Sequence, residues 1–202
     1  MQLPRGGNYT PVDGFKIYFQ KPSRKMRSMA QNKTKKRAYL VDSSIYIFRG
    51  WHIYPEHMTD IDGNPSNAVY GFTEFLHELI QLEQPEYIAC AFDAKQTNSY
   101  RREIFPEYKA NRPPMPEDMV VQLPYIKKIT AAFNLPIIEM PGFEADDLIG
   151  TTARLAEKEG YSIVIVTGDK DLAQLIEPGV RIYNLARDDW WDESRVPDRL
   201  GV

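Results

Sequence analysis

The chain has 202 residues, of which 43% are hydrophobic and 26% are charged, so its composition is that of an ordinary globular protein. Its single cysteine, Cys90, excludes a disulfide framework within the chain and favours a reducing, cytoplasmic setting. No apolar stretch reaches the roughly 18 residues of a membrane span, so we expect no membrane partner. The length predicts one domain, which we expect to be monomeric.

The net charge of −3 is unevenly distributed along the chain. Residues 1–37 contain ten Lys or Arg and one acid, whereas residues 38–202 carry an excess of twelve acids. We expect residues 1–37 to form a basic, disordered tail or an upstream extension of the reading frame. A nucleic-acid-binding arm and a transit peptide are alternatives for this segment. Residues 38–202 are the predicted catalytic domain.

From Ala38 onwards, apolar runs alternate with amphipathic segments. This alternation predicts a mainly parallel α/β sheet with helices on both faces. The predicted strands are residues 38–42, 87–93, 135–139, 162–167 and 180–185. The predicted helices are residues 43–50, 66–83, 117–133, 144–159 and 170–176. Residues 94–116 between them are polar and without regular periodicity, so we expect an irregular segment there.

Acidic residues lie at the ends of predicted strands or at the start of a predicted helix. There are seven of them: Asp42, Asp93, Glu144, Asp146, Asp147, Asp169 and Asp171. Each could individually be a helix cap or a turn residue. Ligands of open α/β sheets bind beyond the carboxyl ends of the strands, and there these side chains should converge. Their convergence predicts a site for cations, since so much negative charge in one crevice needs neutralisation.

The predicted site has only oxygen donors, which suit hard divalent cations such as Mg²⁺. Two such ions about 3.5–4 Å apart can activate a water molecule and stabilise the leaving oxygen of a phosphodiester. Glu144 and Asp146 could share an ion only if the helix begins after Glu144, which the preceding Pro141-Gly142 allows. The three histidines are scattered, and the sequence contains neither a zinc pattern nor a phosphate-binding glycine loop.

A basic and aromatic segment follows Asp93 directly, so it should overhang the carboxylates. Its cationic side chains could contact phosphates: Arg101, Arg102, Lys109 and Arg112. Tyr100 or Tyr108 could stack on an unpaired base. The alternative is a solvated loop with a few ion pairs. Its predicted place above an acidic crevice favours phosphate binding, because a phosphate substrate needs both metal and cationic partners.

Five motifs follow one another along the chain: Leu40-Val41-Asp42, Ala91-Phe92-Asp93-Ala94-Lys95, Tyr108-Lys109-Ala110-Asn111-Arg112-Pro113-Pro114-Met115-Pro116, Glu144-Ala145-Asp146-Asp147 and Thr167-Gly168-Asp169-Lys170-Asp171-Leu172. They resemble the successive motifs of the bacterial 5′-nuclease family. That family includes the 5′→3′ exonuclease domain of DNA polymerase I and the flap endonucleases. The resemblance covers residues 38–202 without large gaps.

The resemblance implies a PIN-like, resolvase-like domain that binds two Mg²⁺ ions, for which Mn²⁺ could substitute. Its substrate would be DNA with a 5′ end or a 5′ flap, and it would hydrolyse phosphodiesters there. The matched positions imply one set of ligands for the first ion: Asp42, Asp93, Glu144 and Asp146. Asp147 would lie beside them, and Asp169 and Asp171 would contribute to the second ion.

The resemblance also assigns roles within the basic segment. Lys109 and Arg101 would be catalytic residues on a helical arch that clamps the scissile strand. The DNA-binding set is Arg101, Arg102, Tyr108, Lys109 and Arg112. We expect Lys109 to contact the phosphate and not the ions, so its removal should leave metal binding intact.

The sequence departs from this family pattern near Val202. A Gly-Asp-x-x-Asp-Asn motif and a helix-three-turn-helix that grips duplex DNA would follow there, and neither is in the sequence. We therefore expect an incomplete second metal site and weakened activity. One alternative is a nucleic-acid binder without catalytic activity, and another is a PIN-type ribonuclease. A haloacid-dehalogenase-like phosphatase is disfavoured, because Ser44 stands where that class needs a second aspartate.

Overall fold

The computed structural model describes residues 36–94 and 99–197. Most of the predicted basic tail, Lys95 and the last five residues lie outside this part. Arg37, which we assigned to the tail, begins the first strand. The described residues form a six-stranded sheet with helices, and the strands are β1 (Arg37–Asp42), β2 (Tyr87–Ala91), β3 (Ile137–Ile138), β4 (Ser162–Val166), β5 (Val180–Asn184) and β6 (Asp189–Trp191).

Six α-helices connect these strands: α1 (Ser43–Ile53), α2 (Asn67–Glu83), α3 (Tyr100–Ile104), α4 (Glu117–Val120), α5 (Leu123–Ala132) and α6 (Ala145–Lys158). Short 3-10 helices follow β4, β5 and β6, at Lys170–Leu175, Leu185–Arg187 and Glu193–Arg195 respectively. No helix within residues 36–94 and 99–197 is long and apolar enough to cross a membrane.

The strands lie in the order β3-β2-β1-β4-β5-β6. All neighbouring pairs are parallel except β5 with β6, which are antiparallel. Strands β2 and β3 therefore follow β1 towards one edge of the sheet, and β5 and β6 follow β4 towards the other. The sequence order reverses between β1 and β4, and in open α/β sheets ligands bind in the crevice at such a point.

The sheet is covered on both faces, as the alternation of apolar runs predicts. Side chains of a strand alternate between the two faces, and β1 shows this directly. Tyr39 and Val41 belong to the core that contains α1, α2 and α5 residues, whereas Ala38 and Leu40 belong to the core under α6. Burial on both faces explains why β1, β2 and β4 read as continuous apolar runs.

Several elements differ from the prediction. The predicted strand 135–139 keeps only Ile137–Ile138, and the predicted helix 170–176 is the 3-10 helix Lys170–Leu175. The predicted helix 117–133 is divided into α4 and α5, because Pro124 lacks the N–H that would bond back to Val120. The segment predicted to be irregular contains the short helix α3. Strand β6 was not predicted, and it forms where Trp190 stacks on Tyr183 with ring centroids 4.3 Å apart.

Helices α1 and α2 cross closely enough to require glycine at the contact. A Cβ on Gly71 would lie 2.5 Å from the Cα of Gly50.

The first turn of α2 is bound by a side chain from the α4–α5 junction. Gln122 Oε1 accepts from the N–H groups of Ala68 and Val69, and its Nε2 donates to Asn67 Oδ1 at 2.9 Å. The α4–α5 junction is thereby attached to the start of α2.

Candidate functional site

The first carboxylate of the site, Asp42, ends β1 and is 4% exposed. Thr167 Oγ1, which follows β4, donates to its Oδ2 at 2.8 Å. Burial raises the pKa of Asp42 to about 7 against the lowering effect of this hydrogen bond, and the charge of Asp146 adds to the rise. A buried carboxylate with so high a pKa lacks the positive charge that would neutralise it.

The second carboxylate, Asp93, joins three elements at the carboxyl edge of the sheet. Its Oδ1 accepts from the backbone N–H of Ala145, the first residue of α6, at 2.8 Å. Its Oδ2 accepts from Ser44 Oγ in α1 at 2.7 Å. Asp93 follows β2, so these bonds tie the end of that strand to the starts of α1 and α6.

Helix α6 begins at Ala145, with Glu144 as its N-cap residue. This is the late start that a shared Glu144 and Asp146 site requires. The alternative role of these acids as caps is confirmed for Asp147, whose Oδ2 accepts from the backbone N–H of Glu144 at 3.0 Å. Asp147 and Asp146 therefore have different roles at this helix start. The capping contacts join Glu144 and Asp147, and Asp146 takes no part in them.

Asp146 lies among the other carboxylates of the site. Burial raises its pKa to about 6, and the charges of Asp169, Asp93 and Glu144 contribute further. Asp42 responds to Asp146 and Asp93 in the same way. The structure therefore brings together the acids from β1, β2, α6 and the loop after β4, as the sequence predicts.

The last two predicted ligands lie after β4. Asp169 is partly buried, and its Oδ1 accepts from the backbone N–H of Asp171 at 2.9 Å, which caps the following 3-10 helix. Asp171 itself is exposed. The prediction that Asp171 is a ligand stays a prediction, and its described contact is that of a turn residue.

The arch segment, which we define as residues 99–116, lies against the start of α6. Arg101 forms ion pairs with Glu144 Oε2 at 2.5 Å and with Asp147 Oδ1 at 2.6 Å. Lys109 Nζ lies 2.8 Å from Glu144 Oε2, and the Tyr108 hydroxyl donates to the same oxygen at 3.0 Å. The segment therefore lies against two of the predicted acids, Glu144 and Asp147.

Other arch residues are placed differently. Arg102 Nε donates to the backbone oxygen of Tyr108, and Arg112 is exposed.

Lys109 has a φ of 53°, a left-handed conformation that is uncommon outside glycine. Such backbone strain clusters at functional positions, because the surrounding structure must hold it in place.

The acids share one edge of the sheet, but they do not form a ready coordination shell. In residues 36–94 and 99–197, no group of three or more His, Cys, Asp or Glu side chains is arranged to hold a metal ion. Glu144 and Asp147 are engaged with arch cations instead. The expectation that removing Lys109 leaves metal binding intact stays untested; the direct contact of Lys109 with Glu144, a predicted ligand, predicts instead that the two are coupled.

The sequence reasoning assigned no role to two hydroxyls that hold the acids. Thr167 binds Asp42, and Ser44 binds Asp93. Thr167 directly follows β4, and Ser44 lies two positions after the end of β1. This position next to an apolar strand is the one signal in the sequence that could have indicated them. Their partners lie 125 and 49 positions away in the chain, so the pairings themselves could not be read from it.

Comparison with known proteins identifies the family. A family model described as "5′-3′ exonuclease, N-terminal resolvase-like domain" matches residues 37–201. The chain belongs to this family. The match spans β1 to the 3-10 helix after β6 and includes every acid and arch residue described above.

Curated relatives carry the same region within longer proteins. DNA polymerase I of Caldicellulosiruptor bescii is 37% identical over 169 residues, which cover 81% of this chain and 20% of that protein. A 5′-3′ exonuclease of Aquifex aeolicus is 36% identical over 167 residues, which cover 83% of this chain and 57% of that protein. The chain thus spans between one fifth and somewhat over half the length of these relatives.

Solved structures share the fold. A bacteriophage T5 protein co-crystallised with metal ions aligns with a TM-score of 0.62 and 17% identity, over 82% of this chain and 60% of that one. The T5 flap endonuclease in a complex with DNA and metal ions aligns with a TM-score of 0.64 and 18% identity, over 82% and 61%. This similarity confirms the predicted PIN-like α/β fold.

Proposed function

We propose that this chain is the catalytic region of a metal-dependent 5′→3′ nuclease that hydrolyses DNA phosphodiesters near a 5′ end or at a 5′ flap. The observation that carries the proposal is the pairing of two features at one sheet edge. A group of mutually repelling acids around Asp42 and Asp146 lies beneath an arch segment that carries Arg101 and Lys109. Phosphate chemistry needs both features.

The donor set fits divalent metal ions. The acids provide oxygen atoms only, which suits Mg²⁺, and Mn²⁺ can take the same ligands. The raised pKa values of Asp42 and Asp146 indicate negative charge that the described side chains leave uncompensated. A cation would relieve this repulsion. The T5 relatives of the same fold are described as holding metal ions, which supports the same conclusion.

We assign ligands to two ions within this set. Asp42, Asp93, Glu144 and Asp146 would hold the first ion, and Asp147 would lie beside it. Asp169 and Asp171 would contribute to the second. When bound, two such ions supply an activated water molecule and stabilise the leaving oxygen.

The arch residues would bind the substrate. Arg101 and Lys109 would contact the scissile phosphate, because both are cationic and lie against the acids. Arg102 and Arg112 are exposed and would contact flanking phosphates. Tyr108 lies between Arg101 and Lys109, within 5.5 Å of each cationic group, and would stack on a base near the 5′ end.

One chain supplies both the acids and the arch, so we propose that it acts as a monomer. Cys90 is a buried free thiol, which suits the reducing cytoplasm. The phosphatase alternative loses its basis, because Ser44 holds Asp93 instead of supplying a second acid.

A second candidate function is DNA binding without cleavage. It is favoured by the ion pairs of Arg101 with Glu144 and Asp147, because these pairs would compete with a metal ion for the two carboxylates. This candidate predicts binding that is independent of Mg²⁺ and no hydrolysis.

The experiment that separates these functions uses 5′-labelled flap DNA, the same flap made of RNA, and blunt duplex DNA. Each is incubated with the chain in Mg²⁺ and in EDTA, and cleavage and binding are measured together. We expect cleavage of the DNA flap in Mg²⁺ only. Binding without cleavage in Mg²⁺ would support the second candidate, and preferred cleavage of the RNA flap would support a ribonuclease.

A further inference from the structure

Thr167 occupies a position between two of the acids. It directly follows β4, is 1% exposed, and donates its backbone N–H to the Tyr183 oxygen of β5. Its Oγ1 donates to Asp42 Oδ2 at 2.8 Å and accepts from the backbone N–H of Asp169 at 3.0 Å. One buried hydroxyl therefore contacts two acid-bearing segments.

The direction of both hydrogen bonds follows from chemistry. A hydroxyl has one proton and two acceptor lone pairs. The N–H of Asp169 can only donate, so it uses a lone pair of Thr167 Oγ1. The ionised carboxylate of Asp42 can only accept, so the hydroxyl of Thr167 donates its hydrogen bond to it. Since threonine is β-branched, its hydroxyl direction is also restricted, and the carboxylate of Asp42 is held in one orientation.

The place of this contact in the sheet is informative. Val41 of β1 pairs with Val166 of β4, so the next residues, Asp42 and Thr167, are neighbours where the strand order reverses. A turn in which a threonine hydroxyl accepts from the residue two positions later is common and needs no further partner. The bond to Asp42, across 125 positions of sequence, is the feature that a simple turn does not require.

We propose that Thr167 is a positioning residue. It holds the carboxylate of Asp42 directly and that of Asp169 through the backbone, so that both carboxylates can bind divalent cations. The inference rests on the proposed metal-dependent function. Hydrogen-bond partners of metal ligands orient those ligands, and their loss typically lowers metal affinity by about 10–100-fold. Thr167 would contact neither ion nor DNA, and its effect would pass through its two neighbours.

The test measures Mn²⁺ binding to the 202-residue chain by isothermal titration calorimetry. The variants are Thr167→Val, which keeps the shape without the hydroxyl, and Thr167→Ser, which keeps the hydroxyl. The matched control is Thr152→Val on α6. Thr152 is fully buried, and among the described residues its hydroxyl has no hydrogen-bond partner.

We expect Thr167→Val to bind Mn²⁺ at least about tenfold more weakly than wild type. Thr167→Ser and Thr152→Val should bind within about threefold of wild type. In cleavage assays, the Mn²⁺ concentration for half-maximal rate should rise for Thr167→Val by a similar factor. The rate at saturating Mn²⁺ should change less, since the arch is intact.

Several results would overturn the inference. Equal Mn²⁺ affinity of wild type and Thr167→Val would do so, even if the variant unfolds at a lower temperature. An equal loss in Thr167→Val and Thr152→Val would also do so, because the effect would then belong to any buried threonine. If Thr167→Val does not fold, the weaker binding must appear in Thr167→Ala. Absence of Mn²⁺ binding to wild type would instead refute the proposed function itself.

Discussion

Lys109 Nζ lies 2.8 Å from Glu144 Oε2, so a predicted phosphate-binding cation neutralises a predicted metal ligand. Burial alone would lower the pKa of Lys109 and raise that of Glu144. Burial is the largest single effect on both groups, but their mutual hydrogen bond and charges, the contact of Tyr108 with both and the charge of Arg101 near Glu144 together outweigh it. The pKa of Lys109 is therefore raised and that of Glu144 is lowered. Both groups stay charged near neutral pH, and a metal ion at Glu144 would compete with this ion pair.

Replacing Lys109 with alanine should have opposite effects on metal binding and on catalysis. The change removes one of the two cations paired with Glu144, a contact worth about 1 kcal/mol, and should tighten Mn²⁺ binding by about fivefold while Arg101 stays in place. Cleavage of flap DNA should slow, because the phosphate loses a cationic partner. Calorimetry with Mn²⁺ and a single-turnover cleavage assay measure the two effects separately.

Arg112→Ala is the matched control for this prediction, since Arg112 is an exposed cation on the same arch segment. It should leave Mn²⁺ affinity unchanged and weaken DNA binding. If Lys109→Ala and Arg112→Ala changed Mn²⁺ affinity equally, the direct contact between Lys109 and Glu144 would have no special role.

The metal-free protein should lose stability as pH rises from about 4 to about 7. Burial raises the pKa of Asp42 to about 7 and that of Asp146 to about 6, from 3.8 for both. Within this range the folded chain holds protons that the unfolded chain releases, so the free energy of unfolding falls with pH. In EDTA, the unfolding temperature at pH 8 should lie on the order of 10 °C below that at pH 5.

Asp42→Asn tests the cause of this pH dependence. The amide cannot ionise, so the variant should be more stable than wild type at pH 8 in EDTA and should show a flatter profile. Mg²⁺ should raise the unfolding temperature of wild type at pH 8 more than that of the variant. A variant with the wild-type profile would show that Asp42 is not the group responsible.

Much of the fold could be predicted because the strands are buried on both faces. Residues 38–42 and 162–167 form continuous apolar runs, and the observed strands β1 and β4 agree with them within one residue. Strand β6 has no such pattern. Its sequence, Asp189-Trp190-Trp191, becomes a strand because Trp190 packs on Tyr183 and Trp191 is buried, which depends on the finished sheet.

The candidate site could be predicted in its membership but not in its contacts. Asp42 and Asp93 lie at the ends of neighbouring parallel strands, so the strand order alone brings them to the same edge of the sheet, whichever side chains surround them. The engagement of Glu144 by Arg101, 43 positions earlier, depends on how the arch segment lies on α6. No local sequence pattern indicates a contact between residues so far apart in the chain. For this reason we predicted Glu144 only as a metal ligand.

Gln122→Leu should destabilise the fold by about 2–3 kcal/mol, measured by urea unfolding. The change leaves the N–H groups of Ala68 and Val69 without the acceptor that binds them, and buried unpaired groups are costly. Gln81→Leu, the same change at an exposed site on α2, should alter stability little. An equally small effect at Gln122 would contradict the bracing role of its side chain.

Single-turnover cleavage of 5′-labelled flap DNA by wild type and Asp146→Asn tests the central claim most directly. Asp62→Asn, at an exposed loop position, serves as the matched control. The account predicts cleavage by wild type and by Asp62→Asn in Mg²⁺, none in EDTA, and a loss of more than about a hundredfold in Asp146→Asn. Equal cleavage by wild type and Asp146→Asn, or cleavage that persists in EDTA, would contradict it.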